Sequence, residues 1–288
     1  MILLGAAAGD ILGSPYEWSS WRGAPEEIPL FSRRARATDD TVLTCAVAHA
    51  LVKARREDGA VDEERFTALV GPTIRAFALA HPGAGYSGRF KRWMHAPDDS
   101  TYKSFGNGSA MRVSACAWAA RSDKEALRLA QISAMPTHGH PAGILGAQAT
   151  VLAIRRLREG QEGRERLLRE WQEQFEKVLG RLPDVARLRA PIRFDVTCRG
   201  TVGLAVSIAL SERNYENVIR RTVALGGDCD TVAAIAGSIA AAAHPVPDAI
   251  ATKVMAILPE DLRSAVIEFE RAFGPNREDG APSLDKAH

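Results

Sequence analysis

The chain is poor in aromatic residues, which make up 6% of its 288 residues, and it holds only four cysteines. Cys45, Cys116, Cys198 and Cys229 stand far apart, with no CxxC pair. That spacing argues against a zinc knuckle or a disulfide framework and fits a reducing compartment. A surplus of one charge is missing too: 37 Lys and Arg face 35 Asp and Glu, a net charge of +2. So small a surplus is no signature of a protein that binds nucleic acid or a membrane surface. No apolar run is long enough to span a bilayer. The apolar opening "MILLGAAAGDILG" has no basic leader and is interrupted by Asp10, which argues against a signal peptide. A cytoplasmic monomer, either enzyme or binding protein, is the expectation. Alternating strand patterns are scarce, and no Asn-Gly turn joins two of them.

What is present is helical period. Hydrophobic residues make up 46% of the chain and charged residues 25%, enough for a real core. In "ERLLREWQEQFEKVLGRLP", Leu168, Trp171, Phe175, Val178 and Leu179 recur at three- and four-residue steps and predict one apolar stripe. "TVLTCAVAHALVKARRE" reads as a helix closed by Lys53, Arg55 and Arg56, which favour its negative end. "DKEALRLAQISAM", "HPAGILGAQATVLAIRRLRE", "ENVIRRTVAL" and "LPEDLRSAVIEFERAF" read alike. "DTVAAIAGSIAAAAH" consists almost wholly of small residues and belongs at the centre of a helical domain. No linker and no repeat interrupts the pattern. The expectation is a single compact all-α domain over residues 1–275, with a polar Pro/Gly-rich tail over 276–288.

Two short stretches carry the chemistry. "TDDT" places Asp39 and Asp40 after Thr38, and "GDCDT" places Asp228 and Asp230 before Thr231. An ordinary helix start explains either motif taken alone, with Thr38 as N-cap and the acids against the positive dipole end. The pair is harder to dismiss. Both copies open helices that read as buried, and unpartnered buried carboxylates are costly. Carboxylates and hydroxyls are hard oxygen ligands that select Mg²⁺, Mn²⁺ or Ca²⁺ over zinc. Brought together, the clusters supply oxygens for two cations, roughly 3.5–4 Å apart in two-metal sites.

Between them lies "KSFGNGSAMR", either a plain loop ahead of a helix through "SAMRVSACAWAA" or a phosphate cradle. Glycines let backbone approach a pyrophosphate, and a helix start offers free N–H groups. Phe105 is a candidate to stack on a base or to join the core, and Met111 reads as core. Arg112 is placed either on a phosphate or on an internal carboxylate. "THGHP" puts His138 and His140 before a helix, but no further nitrogen or sulfur ligand accompanies them, so zinc is set aside. Asp98 and Asp99 read as a solvated loop pair.

The order of "GAAAGDILGSPYEW", "TDDT", "SFGNGSAMR", "THGHP" and "GGDCDTVAAIAG" resembles the ADP-ribosylglycohydrolase family, which includes the dinitrogenase reductase-activating glycohydrolase. The resemblance covers most of the chain. It implies an all-α fold around two Mg²⁺ or Mn²⁺ ions, and hydrolysis that frees ADP-ribose from an acceptor such as a protein side chain. By position, Thr38, Asp39, Asp40, Asp228, Asp230 and Thr231 look like metal ligands. Glu17 falls where the family has a glutamate that acts in catalysis or gates the site. Ser104, Gly106, Asn107 and Gly108 look like the lining of the ADP-ribose site, with His138 near the ribose or phosphates. Asp10 falls at the family's "GD" position, as a support behind the ligands. Cys229 departs from the family's Thr or Ser. Its side chain is expected to point away from the metals, with some sensitivity to oxidation. Rival readings are a non-catalytic ADP-ribose binder, a crystallin-like relative and a metal-dependent nucleotide phosphohydrolase. The acceptor is left open between arginine, serine, a base and a small molecule.

Overall fold

The structure is a computed structural model that describes residues 1–18, 21–97 and 100–275. It is all-α. The helices are α1 (Leu4–Gly13), α2 (Asp39–Lys53), α3 (Glu63–Ala80), α4 (Gly88–Met94), α5 (Gly108–Met111), α6 (Ser114–Ala119), α7 (Asp123–Ala134) and α8 (Pro141–Leu157). They continue as α9 (Gly160–Glu170), α10 (Glu176–Leu179), α11 (Cys198–Ser211), α12 (Tyr215–Leu225), α13 (Cys229–Ala240), α14 (Asp248–Ile257) and α15 (Glu260–Phe273). The expected tail over 276–288 and the Asp98–Asp99 pair lie outside the described residues.

The centre of the domain is the pair α1 and α13. Every residue of both helices is buried. Their sequences explain how they approach so closely, because small side chains meet backbone. A Cβ on Gly9 would collide with the Ala233 carbonyl, and one on Gly13 would lie 2.6 Å from Asp230 Cα. The second contact fixes the end of α1 against the start of α13, which sets the position of Asp230. Around this pair α2 packs on α3 and α15, α8 packs on α7, α9 and α11, and α13 also meets α11 and α12. Several of the surrounding helices carry local start signals. Asp62, Ser122, Thr197 and Asn214 each accept from the backbone N–H three residues on, as N-caps do.

Three expectations need correction. The stripe after residue 166 is not one α-helix: Trp171–Phe175 forms a π-turn between α9 and α10. Leu167, Trp171, Phe175 and Leu179 are the buried set, and Leu168 is 47% exposed. Steps of four residues drift about 40° each around an α-helix, and the wider turn takes up that drift. The helix expected through "SAMRVSACAWAA" is broken at Arg112 and Val113 into α5 and α6. Finally, α2 ends at Lys53, so Arg55 and Arg56 lie beyond its last turn.

Candidate active site

The acidic helix starts meet because α1 holds them from behind. Asp10, fully buried on α1, accepts from the backbone N–H of Thr38 (2.9 Å) and of Thr41 (3.1 Å). It also accepts from the hydroxyls of Thr38 (2.6 Å) and Thr41. Asp10 therefore does the capping work at the start of α2. Thr38 occupies the N-cap position, but its hydroxyl is turned to Asp10 and lies 3.4 Å from Asp40 Oδ2. Across the site, the Thr231 hydroxyl donates to Asp40 Oδ2 (3.2 Å) and ties the start of α13 to that of α2. Asn107 reaches in from the glycine loop and donates through Nδ2 to Asp228 Oδ2 (2.6 Å).

Two overlapping carboxylate sets result. Asp10, Asp40 and Asp230 present oxygens within 4.8 Å of one another, and so do Glu17, Asp228 and Asp230. Asp39 lines the same cavity but belongs to neither set. Burial, then the neighbouring carboxylates, push the Asp40 and Asp230 carboxyls well above the usual range. Asp39 is pushed up to about 7 and Asp228 to about 6, burial being the main cause in both. Asp10 is raised by burial against four hydrogen bonds that oppose the shift. Glu17, on the turn after α1, is raised by burial, with Arg36 opposing.

Magnitudes decide what this cluster can be. Two unit charges about 5 Å apart repel by about 3 kcal/mol at an effective dielectric constant of 20. Three mutual pairs then cost about 10 kcal/mol, comparable to the whole stability of a domain. The carboxylates therefore exist together either protonated or around a cation. Both sets offer only oxygen, the donor chemistry of hard divalent ions. Asp40 Oδ1 is buried and has no hydrogen-bond partner. That free lone-pair oxygen in an otherwise satisfied cluster is what a cation site requires, so the residues fit a metal.

The cluster forms the floor of a cavity of about 340 Å³. Ser104, Gly106, Asn107, Gly108 and His138 line it, together with Glu17, Thr38, Asp39, Asp40, Asp228, Asp230 and Thr231. Phe105 does not line it: the ring is 53% exposed and stands edge-on to His140 at 5.7 Å. Phe90 and Tyr102 line the cavity, and so does an aromatic pair, Trp18 stacked on Phe194, with centroids 4.7 Å apart and planes at 21°. Sequence reasoning missed that pair. Trp18, 79% exposed in the structure, follows Glu17 directly in the sequence, and that adjacency was the readable signal. Phe194 had none, since tertiary pairing brings it in: Asn107 N–H donates to the Val196 carbonyl (2.8 Å) and Cys198 N–H to that of Phe105 (3.0 Å).

The glycine loop differs from expectation in one respect. α5 is a single turn of four residues, too short for a sizeable dipole. What the loop offers is close approach. A Cβ on Gly108 would meet the His138 ring at 3.0 Å, so the glycine leaves room for that imidazole in the cavity wall. Among the described residues Arg112 meets no carboxylate; its Nη2 donates to the Ser133 carbonyl (2.9 Å) and to the Thr137 hydroxyl (2.8 Å). His140 caps α8 by accepting from the Ala142 N–H (3.1 Å). Cys229 points at the Gly13 carbonyl, away from the carboxylates. It is buried, and burial with the neighbouring carboxylates pushes its thiol well up, which disfavours the reactive thiolate.

A family model described as ADP-ribosylglycohydrolase matches residues 1–278. Human (Homo sapiens) ADP-ribosylhydrolase ARH3 is 26% identical over 306 residues, covering 83% of each protein. The solved structure of an ADP-ribosylglycohydrolase-related protein complex superposes with a TM-score of 0.68 at 23% identity, over 94% of this chain and 95% of that one. The last likeness speaks to the fold alone.

Proposed function

The chain belongs to the ADP-ribosylglycohydrolase family, and from that premise we propose that it hydrolyses ADP-ribosyl conjugates at C1″ with two Mg²⁺ or Mn²⁺ ions. The observation that carries this reading is the convergence of two buried carboxylate sets, sharing Asp230, on one cavity floor. Water adds to C1″, the bond from C1″ to the acceptor breaks, and the acceptor leaves with a proton as ADP-ribose is freed.

When bound, the cations supply positive charge that offsets the carboxylates and polarises oxygens of substrate and water. Asp40, Asp228 and Asp230 would hold them, with Asp39, Thr38 and Thr231 alongside. Asp10 keeps the start of α2 in register through its four hydrogen bonds. Glu17 sits on a turn, next to Asp228 and Asp230, and its carboxyl is the group placed to move a proton between water and leaving group. Ser104 through Gly108, without Phe105, and His138 receive the ADP-ribosyl portion. Trp18 and Phe194 offer an aromatic surface at the same cavity. An ADP-ribosylated protein or small conjugate is the substrate. No described helix is long and apolar enough to cross a membrane.

The test is a panel of arginine-, serine- and DNA-linked ADP-ribose, incubated with Mg²⁺ or Mn²⁺ and with EDTA. Metal-dependent release of free ADP-ribose from at least one conjugate is expected. Release of AMP or phosphate would replace this reading by a phosphohydrolase. Tight ADP-ribose binding without turnover on any conjugate would replace it by a binder.

A further inference from the structure

Arg112, Thr137 and His138 form a chain of contacts from the protein interior to the cavity. Arg112 and Thr137 are fully buried and His138 nearly so. Arg112 Nη2 donates to the Thr137 hydroxyl oxygen (2.8 Å), and that oxygen lies 2.7 Å from His138 Nδ1. A guanidinium can only donate. The Thr137 oxygen must therefore accept from Arg112, and its single proton needs an acceptor. Among the described residues the one acceptor it touches is His138 Nδ1. A neutral imidazole that accepts at Nδ1 carries its proton at Nε2.

We propose that Arg112 and Thr137 are positioning residues that hold His138 in the Nε2–H tautomer, so that it presents one hydrogen-bond donor to the cavity. Nε2 faces the glycine loop: Cβ atoms built on Gly108 and Gly106 would lie 3.1 and 3.7 Å from it. The ligand group that fits is an oxygen that only accepts, as in the pyrophosphate of ADP-ribose. Burial and the guanidiniums of Arg112 and Arg89 push the imidazole well below its usual pKa range, which keeps the ring neutral. Among the described residues the other hydrogen bond of the Arg112 guanidinium goes to the Ser133 carbonyl, and its Nε and Nη1 find no partner.

The tautomer part stands on geometry alone, and the ligand part rests on the function proposed above. Long-range ¹H–¹⁵N spectra of the unmodified protein at pH 7 should show His138 as the neutral Nε2–H form. Thr137→Val, which removes the hydroxyl at equal volume, should give a mixture of tautomers and raise the dissociation constant for ADP-ribose about tenfold. Thr137→Ser should restore both. A Nδ1–H or doubly protonated His138 in the unmodified protein would overturn the proposal, as would a Thr137→Val protein that keeps a pure Nε2–H ring. If the unmodified protein shows that tautomer yet fails to bind ADP-ribose, the proposed function fails and the positioning role stands.

Discussion

The protein contains two charge clusters of opposite construction. On α7, α8 and α9, Arg156 lies 2% exposed among Asp123, Glu159 and Glu170, with Arg155 and Arg166 joining at 2.6–3.4 Å. Three guanidiniums meet three carboxylates, and the cluster neutralises itself. At the cavity floor six carboxylates, from Asp10, Glu17, Asp39, Asp40, Asp228 and Asp230, gather without an ion pair among the described residues. The first cluster completes its chemistry within the chain and ties helices together. The second needs charge from outside, and that need separates a site from a staple. Its partners' pKa values diverge accordingly: Asp123 is held at about 2 by Arg156 and Arg155, while Asp39 is pushed to about 7.

The sharpest way to break this contrast is to lighten the acidic cluster. Asp230 belongs to both carboxylate sets, so Asp230→Asn should weaken Mg²⁺ or Mn²⁺ binding by about 100-fold or more and abolish measurable turnover. Without metal the same variant should melt higher than the unmodified protein at neutral pH, because the folded chain no longer has to keep a proton there that the unfolded chain gives up. Calorimetry showing unchanged metal affinity would remove Asp230 from the ligand set. Glu17→Gln acts on the same floor with smaller effect: kcat should fall by about 10²–10⁴-fold, with ADP-ribose binding retained. Turnover near that of the unmodified enzyme would leave Glu17 outside the proton path.

In the balanced cluster the signs reverse. Arg156 donates four hydrogen bonds to three carboxylates. Arg156→Met removes the buried member of the network and its four hydrogen bonds, leaves the acids to Arg155 and Arg166, and should cost about 2–3 kcal/mol, or about 5 °C in Tm. The kcat of the folded variant should be close to that of the unmodified enzyme, since no cavity residue is touched. A stability loss under about 1 kcal/mol would mean the network contributes little beyond surface pairs.

Both clusters were unequally visible in the sequence. The acidic one announced itself, because its members come as local repeats, "TDDT" and "GDCDT", at helix starts. The all-α architecture was legible for the same reason: periodicity is local. Asp10 was read only as a support, although it joins a carboxylate set, since its role depends on α1 packing against the start of α2. The Arg156 network was invisible, as its partners come from three helices with no shared motif. Phe194 and the π-turn at Trp171 depend likewise on tertiary contact and on register, which composition does not carry. Phe105 was offered as a stacking or core residue, and the ring stands exposed beside His140, outside the core and the cavity lining.

The smallest and most discriminating effect is the pH dependence of the metal-free protein. Asp39 has a raised folded pKa of about 7, against 3.8 for an unperturbed carboxyl. Between those values the unfolded chain has lost a proton that the folded one keeps, so raising pH favours unfolding across that window. Asp123 has the opposite shift, to about 2, so its contribution is present above pH 4 and is lost as pH falls toward 2. His138, buried with a lowered pKa, loses stability as pH falls below about 6.5 and would blur a direct comparison of melting points. The difference between the unmodified protein and Asp39→Asn removes that overlap. With EDTA present, the two should melt together near pH 2.5, well below 3.8, where Asp39 is protonated in both states. By pH 8 the variant should melt about 3–6 °C higher, since it is spared the buried charge. Saturating Mg²⁺ or Mn²⁺ should reverse the order at pH 8, because the ion stabilises the form whose carboxylates are ionised. Equal melting at both pH values without metal would show that the Asp39 carboxylate is not strained by its neighbours, and the contrast between the two clusters would then rest on Asp40, Asp228 and Asp230 alone.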